Sequence, residues 1–376
     1  MRKRLLLREL CPCGGGSQQR DWLGVKYERD REMTRYVIRR LLFIPVVLFV
    51  LSVLIFSLVL FLNPYERLAV FLPNPDAAVA GIPFEELVER YGLDRPFYAQ
   101  YLDWLGGVLR GNLGWSASAR MPVSSALAKY FPATVELMLL SAALTFVGGI
   151  LLGTYAATHR NRPADQVARV ITSIGVSLPE FVFGLIALVV FYAWLGWFPP
   201  GRLSTWANEA MREASFHRYT GLNMIDAILN GHFSLFLDSL RHLVLPALSY
   251  SVGLLSAVLR LMRSSLLEAL RQDYVTTARA KGLREKVVIH KHARRNALLP
   301  VLTLAGSIVA RMLGGAVVVE VIFNYPGMGR FIVVAAQGLD FPAILGASLL
   351  IGVLIIIVNL VIDVLYTVLD PTITLR

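Results

Sequence analysis

The sequence predicts an all-α membrane protein of six transmembrane helices with both termini in the cytoplasm. Three observations lead there. Of the 376 residues 56% are apolar and only 17% charged, too little charge to cover the surface of a soluble chain of this length. The apolar residues gather into runs of about 20, the length a helix needs to cross a bilayer core of roughly 30 Å. Basic residues are confined to short blocks between those runs. The net charge of +11 therefore reads as membrane topology; no aromatic-basic interleaving of the nucleic-acid kind accompanies it.

Residues 1–40 form a cytoplasmic leader, of which 1–32 are polar, mixed in charge and expected to be disordered. Met33 is a candidate functional start. Cys11 and Cys13 lie in this leader without a neighbouring His or Cys cluster to complete a metal site. The first span is Leu41–Leu62, which carries no charge and is too long for a cleaved signal peptide. Residues 63–133 follow as an outer loop, with Phe84–Tyr91 and Phe97–Leu109 as a helical pair inside it. A five-helix core is expected over 134–369. Its spans lie at about Thr134–Thr158, Val170–Phe198 (broken near Pro179 and Glu180), Leu243–Met262, Leu298–Phe323 and Ile344–Leu369. Residues 370–376 form a short tail. Lys and Arg are retained in the cytoplasm, and the leader, the loop 158–169 and the loop 263–297 are the basic ones. Loops 63–133, 199–242 and 324–343 are balanced or neutral, so the two kinds alternate.

The loop 263–297 is the most informative. Leu266–Ala280 has a helical pattern with no Gly or Pro, which reads as the fourth span continuing into the cytoplasm. Gly282 stands where that helix must end, a position suited to a left-handed C-cap. Leu283–His292 then reads as a second short helix with Leu283 and Val287 on one face, and Pro300 restarts the chain as the fifth span. Charge alone leaves open a basic loop lying on lipid headgroups.

The residues themselves point further. Thr276-Thr277-Ala278, Gly282 and Leu299-Pro300 resemble the cytoplasmic signature loop of binding-protein-dependent ABC importer permeases, with Thr276 in place of the usual Glu. The match is to the dipeptide/oligopeptide/nickel branch, and to its first (B-type) permease subunit. Gly92-Leu93-Asp94-Arg95-Pro96, Gly111-Asn112-Leu113-Gly114, Pro132-Ala133-Thr134-Val135-Glu136-Leu137 and His242-Leu243-Val244-Leu245-Pro246 fit the same branch. So do Val319-Glu320-Val321-Ile322-Phe323 with Pro326-Gly327-Met328-Gly329, and the end from Asn359 and Asp363 to Pro371; Thr372 stands where such proteins usually have Arg.

The resemblance implies a type I ABC importer permease fold in a bacterial or archaeal plasma (inner) membrane. It implies a second homologous permease, two cytoplasmic ATPases and an extracytoplasmic substrate-binding protein as partners, with membrane lipid around them. Peptides are the implied cargo; nickel complexes, glutathione and oligosaccharides are carried by similar permeases. ATPase coupling falls to Thr276, Thr277, Ala278, Gly282, Leu283, Arg284, Val287 and Pro300.

Within the spans, Glu180, Arg311 and Pro179 are candidates for the translocation path, because intramembrane charge faces a pore, a partner helix or another charge. Pairing of Arg311 with Asp363 is the structural alternative. Glu136, Glu320, Asn359 and Asp363 are given structural roles. Gly314 and Gly315 permit close helix contact and are assigned to the permease–permease interface. The chain has no Gly-x-x-x-x-Gly-Lys-Ser/Thr loop, so ATP and magnesium belong to partner subunits and the chain itself is not an enzyme. No metal ligand set, and no cofactor of its own, is expected. A stand-alone secondary transporter is the rival class, but the inverted repeats typical of one are not found.

Overall fold

The computed structural model describes residues 38–39, 41–57, 86, 89 and 94–369, the side chains of 313 and 363–369 excepted. The leader 1–32, the end of the first span to Leu62, most of 63–93, the tail 370–376 and the Asp363 side chain lie outside the described residues. The chain separates into two units. One runs from Leu51 to Val358 and holds the folded core; the other comprises the two chain ends, up to Val50 and from Asn359.

Helix α1 (Leu41–Ser57) is apolar. Helix α2 (Phe97–Leu109) starts directly after Pro96. Its buried Trp104 and Tyr101 rings pack on Phe56 of α1, with centroids 5.1 and 5.7 Å away. A two-residue antiparallel ribbon follows, β1 (Trp115–Ser116) with β2 (Met121–Pro122), a small departure from the all-α expectation. The buried Asp340 carboxylate anchors it, accepting from Ser116 Oγ at 2.6 Å and Ser118 N at 2.9 Å.

Helix α3 (Val123–Thr158) begins earlier than the expected Thr134 and contains Pro132. A π-turn at Leu144–Gly148 interrupts it. The expected third span is not one rod. Helix α4 (Pro163–Ser177) and helix α5 (Glu180–Trp194) meet at a bend of 107°. Leu178 and Pro179 are both extended (ψ 122° and 140°), so two consecutive non-helical residues turn the chain, and Pro179 precedes α5 rather than lying inside a helix. Short helices α6 (Thr205–Ala210) and α7 (Asn223–Leu229) form a small apolar cluster around Ala207, Met211, Phe216 and Leu235.

Helix α8 (Phe233–Ala269) is the centre of the unit. In its most apolar window 67% is buried, against 28% for α3 and 17% for the last helix, so α8 is enclosed while the others keep faces outward. Helices α3, α4 and α5 pack on it. Two glycines allow this approach. A Cβ at Gly153 of α3 would lie 2.8 Å from the Leu259 carbonyl, and one at Gly175 of α4 2.1 Å from Ser256 Oγ.

Helix α9 (Asp273–Ala280) is separate from α8, which corrects the expectation of one helix through Leu266–Ala280. Helix α10 opens at Glu285–Val287, passes a π-turn at Val288–Ala293 and continues as Arg294–Gly315. Leu283–His292 is therefore not a free-standing helix, and Pro300 lies within α10 instead of restarting the chain. Helix α11 (Val317–Ile322), helix α12 (Met328–Gln337) and helix α13 (Phe341–Leu369) complete the order. Among the described residues α3, α8 and α13 are long and apolar enough to cross a membrane, or four with the α4–α5 pair counted as one. The expected fifth span, Leu298–Phe323, is split at Ala316 into α10 and α11 and is not among them.

Candidate functional site

The segment from Leu270 to Glu285 is a folded projection. The break after α8 has a tertiary cause. Leu266 and Ala269 of α8 and Val275 and Ala278 of α9 share one buried cluster. In a straight helix Val275 would point about 180° from Leu266, nine residues at roughly 100° each. Turning at Leu270–Gln272 brings both inward. Gln272 is extended (ψ 152°) and Asp273 falls in the first turn of α9, where a carboxylate meets the helix dipole favourably.

Helix α9 ends at a left-handed Gly282, φ 70°. The Gly282 N–H donates to the Arg279 carbonyl at 2.9 Å and the Lys281 N–H to that of Thr277 at 3.1 Å. Past the turn, Glu285 reaches back to Arg279: Nη2 to Oε1 is 2.7 Å and Nε to Oε2 3.1 Å. These hydrogen bonds from Arg279 hold the Glu285 carboxyl below its ordinary range. Both side chains are about half exposed, so the pair closes the turn without adding much stability. Val288 and Ala293 bury the start of α10. Tyr274, Leu283 and Val287 remain exposed at 38%, 40% and 37%, an apolar group presented on an otherwise polar projection. Thr276, Thr277 and Arg284 are exposed beside it, Ala278 is buried, and Pro300 is exposed further along α10.

The remaining candidate residues fall in different places. Glu180 is the first residue of α5, immediately after the bend. Arg311 of α10 lies within electrostatic range of Glu180 and of Tyr250 of α8. Tyr250 Oη donates to the Met312 carbonyl at 2.7 Å. Gly315 meets Tyr250, since a Cβ there would lie 2.8 Å from Oη; its small size serves a contact within the chain, whereas Gly314 has open space beside it. Asn359 lies in α13, within the unit formed by the chain ends.

Glu136 accepts from Arg202 Nη2 at 2.8 Å, Met224 N at 2.7 Å and Tyr325 Oη at 3.3 Å, tying α3 to the segment before α6, to the start of α7 and to the turn before α12. Glu320 is fully buried. It accepts from Thr134 Oγ1 at 2.6 Å and Arg330 N at 2.9 Å, and Thr134 Oγ1 in turn accepts from Met328 N at 2.7 Å, so the pair caps α12.

Two clusters escaped the sequence reading. Asp165, in the first turn of α4, is buried under Arg263 and Arg169. Its place after Pro163 was readable as a helix start; its partner 98 residues away was not. Ser204, Asp238 and His242 also converge. The Ser204 hydroxyl donates to Asp238 Oδ1 at 2.6 Å, with His242 Nε2 3.2 Å from Ser204 Oγ. The serine proton is directed at the carboxylate, an order unlike the Ser–His–Asp relay of a hydrolase. Among the described residues no group of three or more His, Cys, Asp or Glu could hold a metal ion.

Comparison with known families settles the class. The model for binding-protein-dependent transport system inner membrane components matches residues 149–375, and its N-terminal companion matches residues 33–138. The chain belongs to this family. It is a membrane permease component, and the curated relatives are permeases too. The chain is 42% identical over 291 residues to a di/tripeptide transport system permease protein of Pseudomonas aeruginosa, covering 77% of this chain and 84% of the relative. It is 36% identical over 344 residues to an oligopeptide transport system permease protein of Bacillus subtilis, covering 91% and 99%. A glutathione transport system permease protein of Escherichia coli is 34% identical over 341 residues, again covering 91% and 99%. The larger family match begins at Gly149 and takes in α8, the Gly282 projection and the α4–α5 bend. The features described above thus lie in the part of the permease that the family model covers.

Proposed function

We propose that this permease is one of two membrane subunits of an ATP-driven importer that takes up peptides of the dipeptide and oligopeptide class. An external binding protein would deliver the peptide, and two cytoplasmic ATPases, carrying ATP and magnesium, would drive the cycle. In this reading the chain crosses the membrane six times with both termini inside, and 63–133 is an extracytoplasmic element. The observation that carries the proposal is the exposed turn after α9: Tyr274, Leu283 and Val287 are left exposed around a turn that only a left-handed residue closes. Such a shape suits insertion into a cleft of another protein. Thr276, Thr277, Gly282, Leu283, Arg284 and Val287 are its coupling surface, Ala278 holds α9 from its buried side, and Pro300 lies further along α10. The peptide assignment draws on the names of the relatives, two of which refer to peptides.

Glu180, Arg311 and Pro179 are assigned to the path, where a bend and two opposite charges offer weak polar contacts to peptide termini. Glu136, Glu320, Asn359 and Asp363 hold helices in place. Gly314, open on one side, is left for the second permease. Glutathione is a second cargo reading, favoured by the Escherichia coli relative; excess glutathione competing with a labelled dipeptide for uptake would select it.

The test is Gly282→Val in the full assembly reconstituted with its ATPases and binding protein. A β-branched residue at this φ costs about 1 kcal/mol or more, and nothing crowds the position, so the effect is conformational. The variant is expected to insert normally yet to lose at least tenfold in stimulated ATP hydrolysis and in uptake together. Gly107→Val in α2 should leave both unchanged. Full uptake and hydrolysis by a correctly inserted Gly282→Val would remove the coupling assignment.

A further inference from the structure

Asp165 is a fully buried carboxylate on the first turn of α4, and one of its three partner residues, Arg263, comes from 98 positions away. Arg263 of α8 grips it through Nε to Oδ1 at 2.5 Å and Nη2 to Oδ2 at 3.0 Å. Arg169, one turn further along α4, donates to Oδ2 at 2.6 Å. The backbone N–H of Asn161 adds a fourth bond at 3.0 Å, fixing the turn ahead of α4, where Asn161 is left-handed at φ 61°. The paired geometry from Arg263 fixes orientation as well as distance.

The position of this grip gives it meaning. Arg263 lies six residues before α8 ends at Ala269, close to the turn into α9. At the other end of α4, Gly175 sits against the Val252 carbonyl and Ser256 of the same helix α8. The two helices run antiparallel and meet at both ends of α4, through the ion pair at one and close packing at Gly175 at the other. Immediately beyond Gly175 comes the 107° bend, and then Glu180.

We infer that the Asp165–Arg263 pair is a positioning link that makes α4 follow α8, so that a displacement imposed on the α9 projection reaches the bend before Glu180. The inference rests on the importer reading above. Arg169 lies on the same helix as Asp165 and satisfies the carboxylate without bridging to α8; at this end of α4 the polar link is Arg263.

The experiment compares Asp165→Asn, Arg263→Lys and Arg169→Ala in the reconstituted full assembly, reading uptake per ATP hydrolysed. Asp165→Asn keeps the shape and removes the charge; Arg263→Lys keeps the charge and removes the two-point grip. Both are expected to hold membrane abundance and stimulated hydrolysis within twofold while uptake per ATP falls at least fivefold. Arg169→Ala should leave that ratio within twofold. A ratio unchanged in Arg263→Lys overturns the link, even if Asp165→Asn fails to insert. So does a proportional fall in hydrolysis and uptake, which marks a merely structural pair. Absence of binding-protein-stimulated hydrolysis in the unmodified assembly is a different result: it would remove the importer reading itself.

Discussion

Gly282 and Glu320 illustrate what single residues decide here. Gly282 was legible from its place at the end of a helical pattern, because a left-handed stop is a local requirement. Glu320 was legible as an acid in an apolar run, but what satisfies it was not: Thr134 lies 186 positions away. The same holds for Glu136 with Arg202 and Asp165 with Arg263, pairs that only the packing of helices brings together. Replacing Glu320 by Ala would leave the Thr134 hydroxyl and the Arg330 N–H without their buried acceptor, at about 1–3 kcal/mol for each group. The melting temperature of the detergent-solubilised permease should drop clearly in Glu320→Ala and less in Glu320→Gln, which retains an acceptor oxygen. Equal melting temperatures for all three proteins would mean that the cap on α12 is dispensable.

At the scale of elements, apolar runs located the helices and misjudged their limits. Helix α3 starts at Val123 and α8 at Phe233, each about ten residues ahead of the apolar run that revealed it. A hydropathy reading sees the part of a helix that meets lipid, not the turns that continue into polar surroundings. Pro132, Pro246 and Pro300 all lie inside helices, which local propensity argues against. The turn at Leu270–Gln272 has no breaker residue, since it arises from burying Val275 together with Leu266. Val275→Asp places an unpaired carboxylate at a fully buried site and should release α9 from the body of the protein. Trypsin should then cut at Arg279, Lys281 or Arg284 at least tenfold faster than in the parent. Unchanged cleavage would show that α9 is held by something other than its inner face.

For the whole molecule, the sequence reading of a helical membrane protein agrees with the fold and with the family, while the orientation of the chain rests on its basic loops. Asn208 lies in the segment expected outside; Gln166 and Gln272 lie in segments expected inside. All three are exposed, so each is reachable by a thiol reagent once replaced by Cys. With Cys11 and Cys13 replaced by Ser, an impermeant reagent applied to intact cells should modify Asn208→Cys and spare Gln166→Cys and Gln272→Cys. Labelling of Gln272→Cys from outside would invert the proposed topology.

Helix α8 is a single element of 37 residues. At 1.5 Å per residue it is about 55 Å long, well beyond the roughly 30 Å of a bilayer core. Pro246 lies inside it, where the backbone ladder lacks one rung and a helix bends most readily. From Pro246 to Ala269 the arm is about 35 Å, so a tilt of about 10° there swings the tip by about 6 Å. Any small rotation at Pro246 and a larger displacement at the α9 turn would be one motion, read at two radii.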